Sequence, residues 1–569
     1  MEIFDYKQEE IIGTVESVDT TTLMVRIEND DCLRNLQVNH LVAVQSPKVA
    51  QYLIGLVSKI IRKSTLTDIN ENIESYSHFS VIKIILIGTH IAKWADKDNV
   101  FQRTLSMVPT INAECYLING ERLKRFMQAI SSVPENDADV SLEIGHYSID
   151  DEAVAWLNGN KFFQRHAVIV GSTGSGKSWC VARILEQLSA LKSADAILFD
   201  IHGEYEPLKG KNFVHFKVAG PMNVKQDGAL FLPYWLLTYE EMLSLMLDRS
   251  DNNAPNQAMM FSNKVIEGKR EFLQSIGKTN MIEDITLDSP IPYSLVELLK
   301  KLDDLDKEMV ISQSTGKPVK GTYNGLLTRF IQRLQTKQLD KRLNFMFSND
   351  ENLLKYEYMI ELCQKIMNPA QNGCGGVKII DFSEVPSDIL PLIVSLTARI
   401  VFSVQQWSDI DKRHPIAVFC DEAHLYIPEN TDKSIDDASV LNFERISKEG
   451  RKYGIGLVVI SQRPSEVNRT VLSQSNNFIA MRLTNIDDQF VIKRLLPDSL
   501  GDYAEMLPIL DIGEALIVGD ASLLPSRIKI AEPNLRPRSA TVDFWDEWSK
   551  DTTLVELEPA IEALRKQTK

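Results

Sequence analysis

His166-Ala167-Val168-Ile169-Val170-Gly171-Ser172-Thr173-Gly174-Ser175-Gly176-Lys177-Ser178 decides the fold. Its first half is a short apolar strand, its second half is a loop with three glycines, and a helical pattern runs on from Lys177 to about Leu191. Gly171-xxxx-Gly176-Lys177-Ser178 is the complete phosphate-loop pattern, set between strand and helix as the chemistry requires. The strand delivers the loop to the C-terminal edge of a sheet. Glycines let backbone N–H groups wrap an anion, and the helix N-terminus adds its positive end. In that setting Lys177 is expected to reach the β- and γ-phosphates of ATP and the Ser178 hydroxyl to ligate Mg²⁺. Gly171, Ser172, Thr173, Gly174, Ser175 and Gly176 form the expected cradle.

Further strands of the same apolar style lie outward from this loop, at Ala194–Asp200, Val377–Phe382, Ile416–Asp421, Ile455–Gln462, Phe478–Leu483 and Glu514–Gly519. Apolar strands separated by helices predict a mainly parallel sheet covered on both faces, an α/β core of the RecA-like P-loop ATPase kind. The strand at Ile416 ends in Asp421-Glu422. There Asp421 is expected to hold the Mg²⁺ water shell and Glu422 to polarise the attacking water as general base. Cys420 reads as a small buried hydrophobe. Gln462, at the tip of another strand, is placed to contact the γ-phosphate and report its presence.

Lys448-Glu449-Gly450-Arg451-Lys452 precedes that strand. Arg451 is a candidate to act on a neighbouring subunit's phosphates, because guanidinium is planar and always charged. Spacing does not rank it above Arg445 or Lys452. Asp200-Ile201-His202-Gly203-Glu204-Tyr205 follows the second core strand, which is expected close to the phosphate-loop strand, so Asp200 is a candidate for the metal or its water. His202 lacks partners for a metal site and reads as packing.

The first ninety or so residues follow a different grammar. Ile11–Val18, Leu23–Ile27, Gln37–Val44, Leu53–Ile61 and Phe79–Gly88 read as short strands, with Asn29-Asp30-Asp31 as a turn, and predict a small β-barrel. A helical pattern is expected from about Ala113 to Val133. Between Pro207 and Gln371 the strand signals fade and amphipathic helices take over. The expected organisation is a barrel at 1–110, a linker and first part of the core at 111–206, a helical insertion at 207–371, the second part of the core at 372–535, and an acidic docking tail at 536–569 carrying Trp545 and Trp548.

Six scattered cysteines without CxxC spacing argue against disulfides and for a reducing cytosol. The N-terminus has no signal-peptide pattern, and no apolar run is long enough to span a bilayer, so a soluble cytoplasmic protein without membrane contact is expected. A net charge of -16 excludes DNA binding by bulk charge. Contact with DNA needs a local basic surface, and Arg463, Arg469, Lys209 and Lys211 are candidates for it.

In their order along the chain, the phosphate loop, Asp200-xx-Gly203-Glu204-Tyr205, Asp421-Glu422-Ala423-His424, Glu449-Gly450-Arg451-Lys452 and Ser461-Gln462-Arg463-Pro464 resemble the HerA branch of the HerA/FtsK ATPases. The N-terminal barrel is similar to the one that precedes the motor in that family. The resemblance implies a hexameric ring that hydrolyses ATP to pump double-stranded DNA and works with a partner. That partner is a NurA-like nuclease in DNA-end processing, or a sirtuin-like NAD-consuming protein or another nuclease in anti-phage defence. It also implies the roles named above for Lys177, Ser178, Asp421, Glu422, Gln462, Arg451 and Asp200. A different class of function stays open beside it, an ATP-binding ring that scaffolds and activates an effector without pumping DNA.

Overall fold

Seven strands form in the N-terminal region: β1 (Ile11–Asp19), β2 (Thr22–Ile27), β3 (Leu41–Gln45), β4 (Gln51–Thr67), β5 (Ser75–Trp94), β6 (Lys97–Gln102) and β7 (Glu114–Leu117). The computed structural model describes every residue except 1–2, 28–32, 35, 68–74, 95–96, 106, 132–140, 219–227, 315, 349, 432–433, 497–500, 523, 539–542, 551–556 and 567–569. The turn expected at Asn29-Asp30-Asp31 lies outside the described residues. Strand order β2-β1-β7-β3-β4-β5, with β2 pairing back onto β5, closes a six-stranded antiparallel barrel, and β6 extends it beyond β5. Register shifts between Val15 and Ser17 in β1 and between Val57 and Lys59 in β4 bend the strands around the closure. Val15, Leu23, Val25, Val42, Leu53, Val57, Ile82 and Ile84 fill its interior.

The helical pattern expected from Ala113 to Val133 is corrected in its first part. Glu114–Leu117 is a strand between β1 and β3, and the helix begins only at Gly120. Four residues are too few to show a period, and burial of Cys115 against the barrel core settles the conformation.

The chain divides into two compact units. The first comprises Met1–Gln187, Val458–Ser465 and Ser473–Arg536. Besides the barrel it contains β8 (Ser141–Tyr147), β9 (Asp150–Asn158), β10 (Ala167–Val170) and helix α1 (Lys177–Ser189), whose last residues run into the second unit. In this unit β10 lies parallel to neighbours on both sides. The second unit comprises Leu188–Leu457, Glu466–Leu472 and Pro537–Lys569. Here β11 (Ala196–Asp200), β12 (Phe213–Val218) and β13 (Ala229–Leu230) precede helix α2 (Tyr239–Met246) and an exposed hairpin of β14 (Met309–Ile311) and β15 (Pro318–Lys320). β16 (Val377–Asp381), helix α3 (Leu390–Trp407), β17 (Ile416–Cys420) and helix α4 (Ser434–Glu449) follow.

β18 (Ile455–Ser461) begins in the second unit and ends in the first, where β19 (Asn477–Met481), β20 (Glu514–Gly519) and β21 (Ser526–Ile530) complete the strands. The first unit's sheet runs β18-β10-β19-β20-β21-β8-β9 and is antiparallel from β19 onward. The second unit's runs β13-β12-β16-β11-β17 and is parallel throughout.

Two differences from the sequence reading stand out. Phe213–Val218, inside the stretch read as helical insertion, is a full strand beside β16. Every one of its residues but Val218 is only half-buried, as befits a strand near the sheet's edge, so its apolar signal is weak. Glu514–Gly519 is antiparallel to β19, because an apolar run buried on both faces gives no sign of its direction. No helix among the described residues is long and apolar enough to cross a membrane.

Candidate nucleotide site

Four apolar, fully buried residues make β10, and the chain leaves its C-terminal end as the phosphate loop. The loop is tied to both neighbouring strands: the Gly171 N–H donates to the Ser461 carbonyl (3.4 Å) and the Ser172 N–H to the Arg482 carbonyl (2.8 Å). A third tie comes from the Gly513 N–H, which donates to the Ser175 carbonyl at 3.0 Å. Gly174 and Gly176 take φ of +74° and +102°. A Cβ at Gly174 would meet nothing within 4 Å, whereas one at Gly176 would lie 3.0 Å from Met481 Cε and 3.3 Å from the Gly513 backbone. Among the described residues no carbonyl accepts from the N–H of Gly174 or Gly176. Two free amide donors at the mouth of a 13-residue helix fit a phosphate group. Lys177, the first residue of that helix, is buried, and so is Ser175.

Gln462 stands directly after β18, in the same unit. Its Oε1 accepts a hydrogen bond from the Thr173 hydroxyl at 2.7 Å, so the residue read as a sensor is already bonded to the phosphate loop. The Ser461 hydroxyl accepts from the Arg463 N–H at 3.0 Å and turns the chain away beyond it.

In the second unit, β17 is buried along its whole length and ends at Asp421 and Glu422, both buried. Glu422 adopts φ +45° and ψ +47°, a left-handed conformation that bulky side chains rarely take. The turn around it is firmly held. The Tyr426 hydroxyl donates to the Asp421 carbonyl (2.8 Å), the Ile427 N–H to the Ala423 carbonyl (2.7 Å) and the Ser439 hydroxyl to the Tyr426 carbonyl (2.6 Å). His424 Nδ1 lies 3.4 Å from Glu422 Oε2. Burial drives the Cys420 thiol and the Tyr426 phenol far above their usual ranges, so neither ionises near neutrality.

Asp200 ends β11, which pairs with β16 and β17. The Asp200 carboxylate is engaged by its own turn, accepting the N–H groups of Gly203 (2.8 Å), Glu204 (3.0 Å) and Tyr205 (3.0 Å). Burial, helped by nearby Asp381, raises its carboxyl to about 6 against the pull of those three bonds. Asp-xx-Gly-Glu-Tyr is thus a turn built on one carboxylate. His202 is exposed, contrary to the packing role read from sequence.

The three cations left unranked by spacing differ in their surroundings. Arg445 lies over the Phe402 ring (4.9 Å) and donates to Gln406 Oε1 (3.1 Å). Arg451 and Lys452, in a tight turn just past the end of α4, are exposed and bond to no side chain among the described residues. Of the residues considered for DNA contact, Arg469 pairs with Glu429 (3.1 Å) and Lys209 with Glu206, while Lys211 and Arg463 are exposed.

One constellation escaped the sequence reading. Glu241, buried in the first turns of α2, accepts both Nε and Nη2 of Arg399 from α3 (2.8 Å each). It also accepts Asn442 Nδ2 from α4 at 3.1 Å and the Thr238 N–H at 2.9 Å. The Thr238-xx-Glu241 capping box is legible locally. Its partners, more than 150 residues away, are not.

Residues 142–401 match the sequence model of the family described as "Helicase HerA, central domain". The chain is 24% identical over 506 residues to the DNA double-strand break repair helicase HerA of Saccharolobus solfataricus, covering 87% of this chain and 88% of that protein. It is 26% identical over 422 residues to the probable DNA double-strand break repair helicase HerA of Methanocaldococcus jannaschii, covering 68% of this chain and 76% of that one. The chain is similar to HerA-type ATPases over most of its length. Among solved structures, VirB4 of Thermoanaerobacter pseudethanolicus aligns over 70% of this chain and 98% of its own, at 16% identity and a TM-score of 0.44.

Proposed function

We propose that this chain is a HerA-type, ATP-driven translocase of double-stranded DNA. It works in the cytoplasm as a homohexamer beside a separate nuclease or NAD-consuming effector, in DNA-end processing or anti-phage defence. The observation that carries the proposal is the phosphate loop with free amide donors, bonded through Thr173 to Gln462. Relatives named as HerA helicases of DNA double-strand break repair support the choice of DNA as substrate.

Magnesium-bound ATP supplies the reactive phosphoanhydride and the cation that offsets its charge. Gly171 to Gly176 wrap the phosphates with backbone N–H groups, Lys177 adds a fixed positive charge, and the Ser178 hydroxyl and Asp421 hold Mg²⁺ and its water shell. Glu422 takes a proton from the attacking water. Its left-handed backbone, held by the bonds around Tyr426, fixes the direction of its carboxylate. Gln462 exchanges its bond from Thr173 for the γ-phosphate and so reports hydrolysis to the loop that follows it. Arg451, exposed and uncommitted, is the arginine best suited to reach the site of a neighbouring copy. Asp200 is left out of the metal set, since its carboxylate is committed to its own turn.

ATP hydrolysis measured with and without duplex DNA, in wild type and Lys177→Ala, tests the proposal. Stimulation by DNA that disappears with Lys177 is expected. Hydrolysis indifferent to duplex DNA at low salt, with the effector present, would leave an effector-scaffolding ring in its place.

A further inference from the structure

We propose that the outer face of the barrel formed by β2, β5 and β4 is a binding surface for the phosphate backbone of duplex DNA. The proposal rests on the translocase reading above and adds a place where DNA is held outside the nucleotide-binding core.

The chain as a whole is acidic, yet neither β4 nor β5 contains an Asp or Glu. Together they carry Lys59, Arg62, Lys63, Lys83 and Lys93. The pairing register shows which of these share a face. Lys59 stands opposite Lys83, which stands opposite Met24; Ile61 stands opposite Val81, which stands opposite Arg26; Lys63 stands opposite Phe79. Side chains alternate along a strand, so these rows lie on one side. Ile82, Ile84, Leu23 and Val25 lie on the other, inside the barrel core. Lys59, Lys63 and Arg26 are exposed, and Arg26 lies over the Phe79 ring at 4.7 Å, which fixes its guanidinium at the surface. None of these three pairs with a carboxylate among the described residues. Val81, in the middle of this face, is fully buried.

Stability does not explain the arrangement. Like charges directly opposite on a β-ladder repel, and Lys59 facing Lys83 is such a pair. An incoming polyanion removes that repulsion. The spacing favours a duplex over an acidic protein. Lys59 and Lys63 are separated by about 13 Å along the strand, close to the roughly 12 Å width of the major groove. Phosphates on the two sides of one groove are therefore within reach of one strand. Lysines act on phosphates as point charges, and the Arg26 guanidinium is held over the Phe79 ring, so the binding expected is independent of sequence.

The test measures duplex DNA affinity of the full chain across a salt series, in wild type and in Lys59→Gln/Lys63→Gln. Lys300→Gln/Lys412→Gln, two exposed lysines of the other unit, serves as the control exchange. The expected result is a plot of log affinity against log salt that is shallower by about 2 for the barrel variant and unchanged for the control. DNA-free ATP hydrolysis should stay at the wild-type rate, which also shows that the variant is folded. An unchanged slope in the barrel variant, with wild type binding DNA, overturns this proposal alone and leaves the face to an acidic protein. Failure of wild type to bind duplex DNA at low salt overturns both it and the translocase reading.

Discussion

Replacing Gly174 and Gly176 separately with alanine tests whether this loop is a phosphate cradle, because the structure assigns the two positions different costs. At Gly174 an added Cβ meets open space, and only the backbone objects: φ is +74°. A left-handed conformation costs an L-residue roughly 1–2 kcal/mol, a factor of about 5 to 30 in an equilibrium constant. At Gly176, φ of +102° lies beyond the left-handed basin, and the Cβ also presses on Met481 Cε at 3.0 Å and the Gly513 backbone at 3.3 Å. The backbone part alone is on the order of 1–3 kcal/mol, and the contact adds to it because Gly513 cannot swing aside as Met481 can. The strain appears either as lost stability, if the loop keeps its shape, or as lost nucleotide affinity, if it relaxes. Titration with an ATP analogue and thermal unfolding should therefore be read together. Expected is a combined loss of about tenfold for Gly174→Ala and a clearly larger one for Gly176→Ala. Adding Met481→Ala should recover only part of the latter. Wild-type affinity and wild-type Tm in Gly176→Ala would refute the loop geometry and the cradle built on it.

Glu422→Gln should bind ATP with near wild-type affinity and hydrolyse it about 10²- to 10⁴-fold more slowly, as read by analogue titration and phosphate release. Loss of binding along with turnover would make Glu422 structural. Mixing Arg451→Ala subunits with Glu422→Gln subunits should restore part of the hydrolysis that each lacks, because some mixed interfaces regain both groups. Normal assembly without recovery at any ratio counts against Arg451, and Arg445→Ala, whose side chain is held on Phe402, should not complement in this way. Burial lowers His90 to about 4, below its ordinary 6.5. The unfolded chain thus binds the extra proton first, and stability from this group, full above pH 6.5, falls by about 3 kcal/mol as pH drops to 4. Asp195 and Asp200, raised to about 6, act in the opposite sense over part of that range. The difference in Tm between wild type and His90→Phe isolates the histidine, and a difference independent of pH refutes it.

What the sequence disclosed depended on how local each signal was. The phosphate loop is contiguous, its glycines answer to backbone angles within the same eight residues, and the strand before it is uniformly apolar. The barrel strands showed through period-two alternation, because one face of each meets the core. β7 was hidden by its length, and β12 by its half-buried side chains. Asp200 shows a different limit. An acid at a strand end reads the same whether it faces a metal or caps its own turn, and the three N–H groups of that turn are visible only in the folded chain. No local pattern ties Glu241 to Arg399 and Asn442, since the link exists only once α2, α3 and α4 pack together.

That packing has a mechanical consequence for the motor. Arg399 is the only cation bonded to buried Glu241 among the described residues, and removing one member of such a pair costs about 3–5 kcal/mol. The cost ties α2 to the middle of α4, through Asn442, while the end of α4 leads straight to Arg451. The start of α4 is held from the other side, where the Ser439 hydroxyl bonds the turn that constrains Glu422. One helix thus has its first turns fixed to the segment of Glu422, the proposed general base, its middle fixed to α2 and its last residues leading to exposed Arg451. In the proposed ring, coupling between Glu422 in one copy and Arg451 offered to the next would run along this helix. It follows from the same buried carboxylate that the capping box at Thr238 places in the first turn of α2.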